Sequence, residues 1–228
     1  MMEKPKMSHI GNLDAIRFPH PDPKALTVVC LHGYGADMND LAPLAQELTT
    51  KRPLAWLFPN APQTLDWGGR AWFPIDIAAF EESQRTGKPR DLSRREPESM
   101  AGARKELQLF LKELDRPLAT IVLMGFSQGA MMAVDLALRA DEMPAGVAIL
   151  SGTLVDGKNM AVLAAKKRGL SFFQTHGSAD PILGFAQALE LEKILTGAGW
   201  IGKLQRFEGG HGIPPEATAA LRSWLEAL

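Results

Sequence analysis

The stretch ATIVLMGFSQGAMMAVDLALRA, Ala119 to Ala140, carries one repeat unit of the fold. Its first six residues, Ala119 to Met124, form a continuous apolar, partly β-branched run. A strand buried on both faces of a parallel sheet reads this way. From about Gln128 to Arg139 the residues suit a helix. Between the two, Gly125, Ser127 and Gly129 spell Gly-x-Ser-x-Gly. A serine at such a sharp strand-to-helix turn has its hydroxyl exposed as a nucleophile elbow, and the flanking glycines permit the close packing of strand on helix.

The same alternation recurs along the chain. Apolar runs lie at Ala25–Leu31, Leu54–Phe58, Gly146–Leu150, Leu170–Thr175 and Lys203–Phe207. Helical spacing of apolar residues predicts a helix over Met38–Leu48 with Asp37 as N-cap, and another over Met100–Leu114. Further helices are expected over Phe185–Leu195 and from Pro215 onward. Strand alternating with helix implies right-handed crossovers and an α/β fold, a mostly parallel central sheet with helices on both faces. Nothing marks a second domain, so residues 1–228 are expected to form one. The rhythm breaks at Ala78–Met100, a polar stretch with Gly87, Pro89 and Pro97, which reads as a surface insertion or flap over 78–98. The alternative to a merely solvated loop is a mobile rim whose basic residues Arg85, Lys88, Arg90, Arg94 and Arg95 bias substrate charge.

Composition sets the outer limits. A formal net charge of −1 gives no electrostatic reason to expect nucleic acid or an anionic membrane as partner. The single cysteine, Cys30, fits a reducing compartment and a buried site. No secretory leader and no apolar run of membrane-spanning length is visible, so a cytoplasmic protein without stable membrane insertion is expected. The histidines show no paired metal-ligand spacing, and no metal is expected.

A serine hydroxyl needs a base and an orienting acid. In this kind of fold they follow in that order of acid and then histidine, each after a later strand. Beyond Ser127 stand His176 and His211. His211, in FEGGHGIPPEA, sits in a glycine-rich loop after the last strand run, where a histidine has little packing reason to be. Asp180, in THGSADPIL, is then the acid. The competing pair is Asp156 with His176. One oxyanion donor is expected from the backbone N–H of Gln128, where the helix dipole assists, and a second from the loop Cys30–Asp37. His32 is expected to brace that loop.

Together these residues resemble the carboxylesterase/acyl-protein thioesterase (phospholipase/carboxylesterase) family of α/β-hydrolases. The matching segments are LHGYGADMND, PNAP, WFPIDI, GFSQGA, HGSADPIL and GGHGIPPEA, in the same order along most of the chain. The resemblance implies a triad of Ser127, Asp180 and His211. It also implies oxyanion donors at Leu31 and Gln128, no cofactor, a small-molecule ester or thioester substrate, and it leaves a homodimer open. The chain departs from the family pattern at TLDWGGRAW, at a Pro-Ile insertion in WFPIDI, and in the long charged segment up to Met100. Trp72, Phe73 and Ile182 are candidate walls of the acyl pocket, or else core residues. The expected activity is hydrolysis of esters with short to medium acyl chains. The alternatives are an acyl-protein thioesterase or lysophospholipase for long chains, and a non-catalytic binding module.

Overall fold

A computed structural model of the chain describes residues 4–228. A hairpin, β1 (Lys6–Ile10) and β2 (Leu13–Phe18), turns at Gly11, whose φ of 59° suits glycine. Then come β3 (Leu26–Leu31), the short α1 (Leu44–Glu47) and β4 (Leu54–Pro59). A two-strand ribbon, β5 (Gln63–Thr64) and β6 (Arg70–Ala71), precedes α2 (Ile77–Thr86) and α3 (Met100–Glu113). The rest alternates strictly: β7 (Ile121–Phe126), α4 (Gln128–Arg139), β8 (Gly146–Leu150), α5 (Gly157–Ala164), β9 (Phe172–Gly177), α6 (Phe185–Gly197), β10 (Leu204–Phe207) and α7 (Pro215–Ala227).

Eight strands form one sheet in the order β1-β2-β4-β3-β7-β8-β9-β10. The pairs β1–β2 and β2–β4 are antiparallel, and all pairs from β4 to β10 are parallel. Alternation along the central strands splits the core in two. Val29, Leu31, Ile121, Leu123, Val147 and Ile149 face a cluster built from α3, α4, α5 and α6. Val28, Cys30, Val122, Met124, Ala148 and Leu150 face one built from α1 and α7. The expected α/β architecture is present, with helices on both faces. Cys30 is buried, and desolvation pushes its thiol well above its ordinary range. Among the described residues no helix is long and apolar enough to cross a membrane.

Two expectations need correction. The segment over 78–98 is not all loop. Its first half is α2, where the Asp76 side chain accepts from the Ala79 N–H and Gly87 closes the end with φ 66°. The long helix expected over Met38–Leu48 is instead a series of turns ending in the single turn of α1. Pro43 has no N–H to donate back to Asn39, so a continuous helix cannot pass through it. Asp37 caps an Asx turn there, its carboxylate accepting from the Asn39 N–H at 2.8 Å.

Candidate active site

At the end of β7 the chain reverses into α4 through Ser127, which has φ 54° and ψ −116°, a sparsely populated region for a side-chain-bearing residue. The Ser127 N–H is bonded to the Leu150 carbonyl at 2.9 Å, and its own carbonyl accepts from Ala130 and Met131. A Cβ at Gly125 would stand 2.3 Å from the Gly129 backbone, and one at Gly129 would stand 2.1 Å from the Leu31 carbonyl oxygen. The elbow therefore needs glycine at both places for contact reasons alone.

Asp180 lies in the turn after β9 and is almost fully buried, at 4 % exposure. Its Oδ1 accepts from the N–H groups of Ile182 (2.8 Å) and Leu183 (3.0 Å). Its Oδ2 accepts from His211 Nδ1 at 2.6 Å and lies 3.1 Å from His176 Nε2. Burial works against the charged carboxylate. The hydrogen bonds from both histidines, the His211 charge and the Leu183 N–H outweigh it and hold the carboxyl well below its usual range. An ionised Asp180 fixes the His211 proton on Nδ1, which leaves Nε2 as the basic nitrogen. The two loops are locked together by backbone contact: Ser178 N–H to the Phe207 carbonyl and Ala179 N–H to the Gly209 carbonyl, each 2.9 Å.

His176 Nε2 also meets the Leu183 carbonyl at 2.7 Å, so both of its close neighbours are acceptors and the proton belongs on Nε2. His176 is fully buried and sets Asp180 from behind. It does not meet Asp156, which begins α5 with φ 45° and accepts from Asn159 at 2.6 Å. The pairing of Asp156 with His176 is therefore not formed.

The loop after β3 is braced as expected. His32 Nδ1 donates to the Gly33 carbonyl at 2.7 Å, and Nε2 accepts from the Ala61 N–H at 3.0 Å. Burial lowers the pKa of His32 and so favours this neutral form, against smaller opposing contributions from the Gly33 bond and Asp37. In a trans peptide the C=O and N–H point opposite ways, so holding the Gly33 carbonyl turns the Tyr34 N–H away from His32. Gly35 and Ala36 spend their N–H groups on the Arg70 and Gly33 carbonyls.

Ser127, Gln128 and His211 line one cavity of about 130 Å³, together with Gly33, Tyr34 and Phe73. Ile182 is also in its wall. Two expected residues are elsewhere. Leu31 is fully buried inside β3, paired with Gly125, and does not reach the cavity. Trp72 is buried behind the site, donating from Nε1 to the His32 carbonyl at 2.8 Å. Its position follows from an interaction the sequence reading missed. The Gln128 side chain accepts from the Trp72 N–H (2.9 Å) and donates to the Phe73 carbonyl (2.8 Å), tying that loop to the first turn of α4. A buried glutamine at a helix start, with no capping role for its side chain, is the signal that could have revealed it.

Comparison with known proteins bears on the family and the fold. A family profile described as phospholipase/carboxylesterase matches residues 15–228. Acyl-protein thioesterase 1 of Neurospora crassa is 28 % identical over 215 residues, covering 87 % of this chain and 85 % of that protein. The protein of the same name from Mycosarcoma maydis is 30 % identical over 171 residues, covering 70 % of each. Among solved structures, esterase PE8 superposes with a TM-score of 0.77 at 26 % identity, covering 94 % of this chain and 98 % of that one. The Bacillus cereus carboxylesterase shares the fold, with a TM-score of 0.73 at 22 % identity and 94 % of each chain covered.

Proposed function

Because the chain belongs to the phospholipase/carboxylesterase family, we propose that it is a serine hydrolase in which Ser127 is the nucleophile, His211 the base and Asp180 its orienting acid. The observation that carries this is the convergence of Ser127 and His211 on one cavity, with His211 held from behind by an ionised Asp180. As the Ser127 hydroxyl attacks the substrate carbonyl carbon, its proton passes to His211 Nε2. Asp180 steadies the imidazolium that forms. The N–H groups of Gln128 and Tyr34 receive the oxyanion; Tyr34 replaces the donor expected at Leu31, because the braced loop presents its N–H while Leu31 lies in the ladder. His211 returns the proton to the departing alcohol or thiol. Water then attacks the acyl-enzyme by the same route and releases the acid.

The size of the cavity supports one substrate class over another. At about 130 Å³ it is close to the roughly 150 Å³ known to hold a benzene-sized guest, which supports a short to medium acyl group. A second reading, a thioesterase for longer chains, is favoured by the names of the Neurospora and Mycosarcoma relatives. Exposed Trp67, 6.3 Å from the Tyr34 ring, offers apolar surface outside the cavity for such a chain. Hydrolysis of a chromogenic ester series from acetyl to palmitoyl, with wild type and Ser127→Ala, separates the readings. We expect a maximum at short to medium chains and a loss on the order of a millionfold in the variant. A maximum at palmitoyl favours the thioesterase reading, and undiminished turnover by the variant removes Ser127 from the chemistry.

A further inference from the structure

Arg90 stands in the wall of the same cavity as Ser127 and His211. The walls around it are apolar, with Phe73, Ile75, Phe80, Leu92 and Met131 contributing. Its backbone is pinned to the segment that follows Asp180. The Arg90 N–H donates to the Ile182 carbonyl at 3.1 Å, and Arg90 bridges in parallel to Leu183. The position is thus fixed relative to the proposed triad rather than adrift on a loop.

Among the described residues, the half-buried guanidinium has no hydrogen-bond acceptor and no carboxylate within ion-pair distance. Two other sheltered arginines, by contrast, are paired: Arg104 and Arg139 share Asp135 and Glu96. The acid whose field reaches Arg90 is Asp76, and that carboxylate caps α2 through the Ala79 N–H. Tyr34 is the other group near enough to interact with it. Desolvation pulls the Arg90 pKa down, against the smaller opposing pull of Asp76 and Tyr34. A cation taken partly out of water without a partner is held at a cost that an incoming anion relieves.

We propose that Arg90 selects substrates carrying a carboxylate near the scissile ester, so that the preferred substrate is a monoanionic ester such as a dicarboxylic acid half-ester or a hydroxy-acid ester. The planar guanidinium fork matches a carboxylate with two parallel N–H···O bonds. One cation balances one negative charge. A phosphate dianion would carry a second, uncompensated charge into apolar walls, which is why a carboxylate is the better match.

This inference rests on the hydrolase reading above, and its test separates the two. Two isosteric pairs place the charge on either side of the ester: para-nitrophenyl hemiadipate against para-nitrophenyl hexanoate, and butyryl lactate against isopropyl butyrate, the latter followed by acid release. In at least one pair the wild type should favour the charged member. In that pair Arg90→Gln should lower the charged-to-neutral ratio of kcat/KM by about tenfold to a hundredfold, as loss of a charged hydrogen bond does. Arg90→Lys, which keeps the charge without the fork, should fall between, and Arg90→Glu should invert the ratio. Ratios that do not move in either pair overturn the proposal. Binding of monomethyl adipate by calorimetry in a Ser127→Ala background, where it is not turned over, tests it further: weakening of about tenfold or more on adding Arg90→Gln supports it, and equal binding, or none with Arg90 intact, overturns it. If no ester is cleaved yet this binding difference appears, the hydrolase reading fails while the anion site stands.

Discussion

Ser127 holds a backbone conformation that costs a side-chain-bearing residue about 1–3 kcal/mol. The strain is sustained by the two glycine contacts beside it and by the bond from its N–H to Leu150. His32 does comparable positioning work at one remove, since its grip on the Gly33 carbonyl aims the Tyr34 N–H. Replacing His32 by Ala should therefore lower kcat by about a hundredfold with little change in KM, the cost of a misplaced oxyanion donor. His32→Asn, whose amide nitrogen falls near the position of Nδ1, should recover much of that loss. Steady-state kinetics of the two variants decides it; wild-type activity in His32→Ala would mean that the brace is dispensable. At this scale the sequence was legible where chemistry constrains residue type. Loop context and chain order single out Ser127, Asp180 and His211, and the structure brings the three together. Peptide orientation is not written in residue identity, so the residues alone leave the second donor open over Cys30–Asp37, and the resemblance implies Leu31 where we propose Tyr34. The direction of the Trp72 side chain was hidden for the same reason, since the Gln128 strap sets it.

Among the elements, α4 carries the elbow and is buried from Gln128 to Leu138. Its outer contact with α3 is polar: Asp135 receives Arg104 and Arg139, and Glu96 receives both arginines from the other side. Hydrogen bonds and charge attraction from these acids overcome desolvation and raise the pKa of Arg104. Asp135→Ala would leave two sheltered guanidinium groups short of an acceptor, and should cost about 3–5 kcal/mol in urea denaturation. A loss below about 1 kcal/mol would place the cluster among ordinary surface ion pairs. Elements with strong apolar runs were legible, and α4 was read with its observed bounds. Those without were not. β1 alternates between exposed and half-buried residues, and α2 buries only Ser83, so neither offers a hydrophobic pattern to read.

For the whole molecule, buried titratable groups couple stability to pH. His32 is held neutral by burial, so its pKa in the folded state lies below the ordinary 6.5. Unfolding then takes up a proton in the window just below 6.5, and stability falls as pH drops through that window. Asp180 acts lower: its depressed carboxyl contributes stability that is fully present above the ordinary carboxylate range and lost as pH falls through its folded value. Urea midpoints should therefore decline from neutral pH toward about pH 5, and His32→Asn should flatten that limb while sparing the steeper acid limb. Identical profiles for both proteins would contradict the neutral, buried state of His32. The centre of the parallel sheet was legible because β3, β4, β7, β8 and β9 are buried on both faces and read as apolar runs. Its antiparallel edge was not, because one side of it meets water.

In the proposed mechanism Ser127 is a nucleophile activated by His211 and Asp180. Treatment of the intact protein with a fluorophosphonate, followed by peptide mass spectrometry, tests it most directly. A single adduct is expected, on Ser127, lost in Ser127→Ala and greatly slowed in His211→Ala. No adduct, or one on another residue, would contradict it.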